Sequence, residues 1–430
     1  MQTSALEAHN LARVCRDLAW SEIACMPATA QRLGARCATS PALDWSAKGL
    51  ALDSLACMQL ATAAATWCNA FDTGYEDLFL AKRSIAGWAA AMQRVTQHGG
   101  RHLTFSSSGS TGTRKHIRHQ LQVLMDEAHA WASLLRSEQR SCQQGLDVER
   151  QQGFTVHRVV VLAPTHHIYG FIWGILVPMA LGVPAVDADL QTLPPLLPGD
   201  LVIAVPDQWA WLAKAQHLTA GWPSGVKGVS STAPLPAYVH HRLTQEKAEQ
   251  GQILKPPLAQ LLHIYGSAET AGLGWRDDPQ QPYTLATARL RTLANGIALQ
   301  QNNEGLAELA VQDELAWVDQ QRFHVVARLD SCVQVGGHNV SPAWVAAQLA
   351  SYPFVEQATV RLGMIGSSTE PPRLKAFIVL KKTPQPHLQA QSQIENWAAE
   401  NLPWYAMPYV FTYGLSLPRN SMGKLCDWPD

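Results

Sequence analysis

Short apolar runs that stop at a proline or glycine constrain this chain more than any other feature. Val156–Leu162 stops at Ala163-Pro164, Leu201–Val205 at Pro206 and Leu261–Tyr265 at Gly266. Runs of this length, apolar at most positions rather than at alternate ones, suit strands buried on both faces. His102–Phe105 and Val226–Val229 read as two further strands, and stretches of helical spacing such as Pro236–Ala248 lie between. Strand and helix in alternation predict an α/β protein whose large N-terminal domain holds a largely parallel sheet covered by helices.

The flanks differ from this middle. Residues 1–98 read as mostly helical, with Leu55, Met58, Gln59 and Leu60 at helical spacing, until Gly99-Gly100 breaks the pattern. After Asp330 the chain reads as a small α+β domain. Val333–Val335 leads into Gly336-Gly337, a helix covers Pro342–Ala350, and β-runs cover Gln357–Arg361 and Lys375–Leu380. A polar loop over Thr383–Gln391 and a helix over Ile394–Asn401 follow. The expected division is 1–329 and 330–430.

Composition removes several function classes. The formal net charge is −1 and no Lys/Arg block occurs, which disfavours nucleic acid and anionic membranes as partners. Eight cysteines, none in a CxxC pair, argue against a zinc ribbon and suit reduced, buried thiols of a cytoplasmic enzyme. Met1–Asn10 lacks the basic and apolar regions of a signal peptide. Ile168–Val186 is apolar and nearly long enough to span a bilayer. Its Gly170, Gly174, Pro178, Gly182 and Pro184, and the strand before it, favour a buried helix with an exit turn.

Chemistry concentrates first in the loop from Ser106 to Lys115, SSSGSTGTRK, which follows a strand. Small residues let backbone wrap closely around an anion, hydroxyls and amide N–H groups donate to phosphate oxygens, and the lysine adds a point charge. The GxxxxGK[ST] pattern is absent, so this is no Walker A loop; a flexible Ser/Gly linker is the competing reading.

Ser107–Lys115 resembles the phosphate loop, TSGSTGxPK, of the adenylate-forming superfamily of acyl-CoA synthetases, peptide-synthetase adenylation domains and firefly-type luciferases. Arg114 stands where that family has proline. Five more segments resemble the family's motifs in the family's order. Pro164–Gly170 is similar to PLFHxYG, Thr232–Leu235 to the GAPL turn, and Tyr265–Glu269 to YGxTE. Ala327–Asp330 with Gly337 and Asn339 is similar to the GRxD hinge and its glycine motif, and Leu417–Lys424 to LPRTxxGK. The resemblance covers residues 101–430.

It implies a fold, an activity and a set of residues. The fold is a large N-terminal domain, shortened here relative to the family, with a small mobile C-terminal domain. The activity is ATP- and Mg²⁺-dependent conversion of a carboxylic acid to an acyl-adenylate, then transfer to a thiol. Ser107, Ser108, Gly109, Ser110, Thr111, Gly112 and Lys115 would hold phosphates, with Tyr265, Gly266 and Ser267 beside the nucleotide. Glu269 would hold Mg²⁺, since hard cations prefer carboxylate oxygen, with Thr111 as a weaker ligand. Asp313, fifteen residues before Arg328, would accept from the ribose hydroxyls, and Arg328 would contact the ribose from the other side. His167 would lie near the substrate carboxylate, and Lys424 would stabilise the charge that builds up during transfer. Asp330 would be the hinge and Gly337 would line the tunnel for the thiol. Ala268 replaces the family's threonine and removes one hydroxyl, which Ser267 could replace.

Only about 100 residues precede the phosphate loop, fewer than the family usually places there. Within them, Leu52–Leu60 resembles the Asp-Ser-Leu site of acyl-carrier proteins, but Asp and Ser also cap helices, and Ser54 is expected to be a cap. The His240-His241 pair falls on a predicted helix and is expected to face solvent. The run Gly336–Pro342 and the short length are similar to compact ligases of aryl-polyene and xanthomonadin pathways. They imply a hydroxybenzoate-type aromatic acid and an acyl-carrier protein as acceptor, with CoA the other acceptor. The alternatives are a fatty acyl ligase and a non-catalytic nucleotide-binding scaffold.

Overall fold

The computed structural model describes the chain apart from residues 1–5, 25, 27–49, 51, 108–114, 142–154, 216–220, 246–256, 287–289, 294–295, 301–305, 310, 312, 329–332, 336–337, 364–372, 382–386, 403–405, 421–423 and 429–430. Two compact units form, one of residues 1–293 with 297–309, the other of 294–296 with 310–430. The second therefore begins ahead of Asp330.

The first unit opens with helices α1 (Ala8–Ala24), α2 (Ser54–Trp67), α3 (Asp77–Ala81) and α4 (Ile85–Gln97). Helix α1 buries Leu11, Val14, Cys15 and Leu18, an i, i+3, i+4, i+7 stripe. Asp53, not Ser54, caps α2: its carboxylate accepts from Ala56 N at 2.8 Å, and Ser54 is exposed. Ser84 caps α4 in the same way.

Strands β1 (His102–Ser107) and β2 (Lys115–Gln120) form an antiparallel hairpin, followed by α5 (Leu121–Ser141). The main sheet of this unit uses β3 (Arg158–Val161), β4 (Ala185–Asp187), β5 (Asp200–Ala204), β6 (Lys227–Ser230), β7 (Gln260–Ser267), β8 (Ala271–Arg276) and β9 (Tyr283–Leu285). They lie in the order β4-β3-β5-β6-β7-β8-β9. The first five run parallel, as a largely parallel sheet requires, but β4 falls at the end of the segment read as a helix and its exit turn, and the strand read at His102–Phe105 lies outside this sheet, in the hairpin β1–β2; β8 and β9 are antiparallel additions. Strand pleating divides the buried residues between two cores. Val159, Val161, Leu201, Ile203, Val229 and Leu262 face α1, α2, α4 and α5. Val160, Leu162, Val202, Ala204 and Leu261 face α8 (Pro206–Leu212) and α9 (Ala237–Thr244). Strands β10 (Leu290–Leu293), β11 (Gly296–Gln300) and β12 (Leu306–Leu309) make a small separate sheet.

The apolar segment after β3 is a buried helix: α6 (Ile168–Phe171), a π turn over Ile172–Leu176, and α7 (Val177–Leu181), ended by Gly182 at φ 73°. Among the described residues no helix is long and apolar enough to cross a membrane.

The second unit holds the hairpin β13 (Asp313–Trp317) and β14 (Arg322–Arg328) and the pair β15 (Val333–Val335) and β16 (His338–Val340). Helix α10 (Pro342–Ser351) and α11 (His387–Asn401) accompany the sheet β17 (Val355–Gly363), β18 (Arg373–Leu380) and β19 (Val410–Gly414), with β18 central. Ile394 and Ala398 of α11 pack with Val345, Leu349, Leu374, Ala376 and Ile378. Helix α11 starts at His387, inside the stretch that sequence reads as a polar loop.

Candidate active site

Strands β3, β5, β6 and β7 run the same way side by side, so their carboxyl ends share one edge of the sheet. The loops leaving β3, β6 and β7 at that edge carry Thr165-His166-His167, Thr232–Leu235 and Ala268-Glu269. Ligands of open α/β sheets bind outside the carboxyl ends of the strands.

The loop after β3 is held from three sides. Asp17 of α1 accepts from both the backbone N and the hydroxyl of Thr165, each at 2.7 Å. Trp67 of α2 donates its indole N–H to the His166 carbonyl at 3.1 Å. The Tyr169 hydroxyl shares its proton between the Ala204 and Val229 carbonyls, 3.1 and 2.8 Å away at the ends of β5 and β6. Gly170 is required here, since a Cβ would stand 2.1 Å from the Pro164 carbonyl oxygen. His166 is buried, His167 is half-buried at the start of α6, and their rings lie 3.9 Å apart.

Helix α1 supports the same region through charge. Arg13 forks onto Asp187 of β4 and donates to the Gly174 carbonyl in the π turn at 2.8 Å; Arg16 reaches Asp187 at 2.9 Å. Burial alone would raise the Asp187 carboxyl, but the two guanidiniums outweigh it and hold it below the usual range.

The loop after β6 contains backbone strain. Thr232, which stands at the glycine of the resembled motif, adopts φ 80°. A β-branched residue at positive φ is an outlier, of the kind that gathers at functional turns. Ser231 beside it is tied to β7 through its hydroxyl and the Ile264 carbonyl, 3.0 Å away.

The turn between β7 and β8 presents Glu269. Ser267 Oγ accepts from Glu269 N at 3.2 Å and Thr270 N at 3.3 Å, while Thr270 Oγ1 accepts from Ser267 N at 3.0 Å. Gly266 fits only as glycine, since a Cβ would meet the Ala271 carbonyl oxygen at 2.0 Å, and Ala271 itself takes φ 57°. The Ser267 hydroxyl is thus part of the turn that shapes the Glu269 backbone. Tyr265 packs against Tyr283 with ring centres 5.5 Å apart and planes tilted by 47°, and Arg276 lies over the Tyr283 ring.

The phosphate-loop hairpin meets this turn. Ser107 pairs with Lys115 at the hairpin's end, and Lys115 is exposed. Residues Ser108, Gly109, Ser110, Thr111 and Gly112, and the side chain of Ser107, lie outside the described residues. Five positions from the exposed Lys115, counted inclusively, His119 donates through Nε2 to the Ala268 carbonyl at 2.6 Å. Burial pushes the His119 ring below its ordinary pKa, against the Ala268 bond and the Glu269 charge. One element further, Glu127 of α5 accepts from Gly272 N at 3.0 Å and from the Trp131 indole at 2.9 Å. Burial raises its carboxyl to about 7 despite those two donors.

In the second unit, Asp313 and Arg328 stand directly opposite each other on the β13–β14 hairpin. Asp313 is half-buried; the Arg328 side chain lies outside the described residues. Asp330 and Gly337 also lie outside them. Lys424 is half-buried, and its backbone is fixed by Asn420, whose Oδ1 accepts from Lys424 N at 3.0 Å and whose N donates to Lys424 O at 2.8 Å.

No family model matches the chain. Over 392 residues it is 35% identical to the 4-coumarate--CoA ligase of Halorhodospira halophila, covering 88% of each chain. Over 395 residues it is 35% identical to the protein of the same name in Rhodobacter capsulatus, covering 89% of this chain and 91% of that one. The chain belongs to the adenylate-forming superfamily. It is an AMP-forming acid–thiol ligase. The ligase also shares its fold with ATP-bound MatB from Rhodopseudomonas palustris, at TM-score 0.51 and 19% identity over 80% of this chain and 71% of that one.

Sequence reasoning missed four side chains around the ligase's sheet edge: Asp17, Arg13, His119 and Glu127. None belongs to a recognised motif, and each reaches a partner far along the chain, although Glu127 also bonds Trp131 one helical turn on. A further expectation is corrected at this sheet. His240 does not face solvent; it is buried on α9, and its Nδ1 lies 2.9 Å from Nε2 of buried His263 on β7. Its signal was available, since Val239, His240 and Leu243 form one stripe on that helix.

Proposed function

We propose that this ligase joins an aromatic carboxylic acid to CoA. The acid and MgATP give an acyl-adenylate and pyrophosphate; the CoA thiol then displaces AMP and leaves the thioester. The observation that carries this reading is the identity with 4-coumarate--CoA ligases along nearly nine-tenths of both chains.

The residues suit these steps. The Ser/Thr/Gly loop and Lys115 offer donors and positive charge to the phosphates, and Glu269, on the turn that His119 ties to the loop's hairpin, offers a hard oxygen to Mg²⁺. Thr111 would be a second oxygen ligand. Asp313 and Arg328, opposite on one hairpin, support a site for the two ribose hydroxyls. Tyr265, Gly266 and Ser267 flank the nucleotide, and His167 flanks the acid. Lys424 bridges the carboxylate and α-phosphate as charge develops. Asp330 is the hinge for the change of half-reaction, and Gly337 lines the thiol's approach.

The test is acid-dependent pyrophosphate release across 4-coumarate, 4-hydroxybenzoate and fatty acids, with thioester yield compared between CoA and a phosphopantetheinylated carrier protein. Aromatic acids with CoA should be preferred; preference for a fatty acid or for the carrier refutes the corresponding part. Lys424→Ala should abolish acid-dependent pyrophosphate release while ATP still binds, and an unchanged rate would remove Lys424 from the site.

A further inference from the structure

The C-terminal segment that carries Lys424 is fastened to the small domain's sheet by a buried cation. Lys375 lies on the central strand β18 and is 5% exposed. A lysine this buried is rare without partners, because desolvating an ammonium costs several kcal/mol. Its Nζ donates to the Trp428 carbonyl at 2.5 Å, stands 3.2 Å from Asp427 Oδ1, and lies 5.1 Å from the centre of the Trp428 ring. That ring meets Phe377, two positions along the same strand, edge-on at 5.6 Å. Arg361, directly opposite Lys375 on β17, donates to the Leu425 carbonyl at 2.6 Å. Just upstream, Arg419 bridges Leu425 and Cys426 N donates to the Pro418 carbonyl at 3.0 Å.

Lys424 therefore sits in a short loop whose two sides are bridged to each other and whose downstream side is pinned at Leu425 and Trp428. A methionine would fill the same volume on β18 without desolvating a charge, so packing alone gives no reason for a lysine here. What the ammonium adds is a directional hold on the Trp428 backbone carbonyl and the Asp427 carboxylate, four and three residues beyond Lys424.

We infer that Lys375 is a positioning residue for Lys424, and that with Arg361 it fixes the C-terminal segment so that Lys424 is presented for adenylation. The inference rests on the reading of Lys424 given above. A lysine on a loose tail would spend little time in a reactive geometry, and a displacement of about 1 Å can cost about a hundredfold in rate.

The experiment separates the two half-reactions. Lys375→Met, Lys375→Arg, Arg361→Met and Lys424→Ala are each assayed for acid-dependent pyrophosphate release and for thioester formation from added acyl-adenylate and CoA. Lys375→Met should lower the kcat of adenylation by about 30- to 100-fold, with KM for ATP and acid and the thioester step within about threefold of the parent. Lys375→Arg, which keeps a donor and a charge, should recover most of the rate. Arg361→Met, at the edge of the tether, should show a smaller loss confined to adenylation, and it carries the test should Lys375→Met not fold. Equal loss in both half-reactions, or normal adenylation in both Lys375→Met and Arg361→Met beside an inactive Lys424→Ala, overturns the inference. Normal adenylation in Lys424→Ala overturns the reading beneath it.

Discussion

Glu127→Gln should stabilise the protein, and the gain should grow with pH. The carboxyl is buried in α5, and its ordinary pKa of 4.5 rises to about 7, chiefly through desolvation. The sign follows from proton counting. Between 4.5 and about 7 the unfolded carboxyl has lost its proton while the folded one keeps it, so stability falls as pH rises through that window. At about 1.4 kcal/mol per pH unit the whole shift is worth about 3 kcal/mol. Glutamine does not titrate, and its side-chain carbonyl can accept from Gly272 N and the Trp131 indole in place of Glu127 Oε1. Any cost of burying its new amide is independent of pH and shifts the curve without changing its slope.

Urea unfolding of parent and variant from about pH 5 to about pH 8 measures this directly, since the denaturation midpoint reports stability at fixed m. Hydrogen exchange at the Gly272 amide gives a local reading of the same event. A stability difference that is flat with pH, or that shrinks as pH rises, would refute the argument and show that the Glu127 site is wetter than its burial suggests.

Thr232→Gly should stabilise by about 1 kcal/mol, because glycine removes the cost of a β-branched residue at φ 80° and returns part of it as backbone entropy; a lower urea midpoint would show that the threonine contributes contacts worth more than the strain. His263 and His240 are both held below their ordinary 6.5, His263 to about 3, first by burial and then by neighbouring charge. Neutral in the fold and protonated when unfolded, they should make stability fall as pH drops below about 6.5, and His263→Gln should flatten that fall by on the order of 1 kcal/mol per pH unit; an unchanged acid slope would count against the pair.

The parallel strands were legible because double-sided burial leaves unbroken apolar runs such as Leu201–Val205. The motif loops were legible because glycine, proline and hydroxyl residues cluster where strands end. Strand β8 was not. Its sequence, Ala-Gly-Leu-Gly-Trp-Arg, carries two glycines that weaken a strand signal. The structure supplies their use at Gly272, where a Cβ would approach Glu127 Oε1 to 2.5 Å. Strands between 290 and 328 alternate only over four to seven residues and gave no comparable signal. The long-range ties, Arg13 to Asp187 across 174 positions and His119 to Ala268 across 149, have no local pattern at all.

These ties hold the motif loops along one edge of the sheet. The three motif loops start from β3, β6 and β7 at one edge of the sheet, with β5 between the first two, but strand geometry fixes only their roots. Each loop is then tied by a group from outside its own strand–loop unit: Asp17 and Trp67 on the loop after β3, Ile264 O on Ser231, and His119 on Ala268. The last of these matters most for the chemistry. It joins the hairpin β1–β2, which bears Lys115 and is itself rooted in the core by Leu103 and Phe105, to the β7–β8 turn, which bears Glu269. On the function proposed above, the charge of Lys115 and the carboxylate of Glu269 would need a fixed separation to act on one nucleotide. A neutral imidazole suits that position. It donates to the Ala268 carbonyl from Nε2, and its lowered pKa keeps it from adding a cation beside the Glu269 carboxylate.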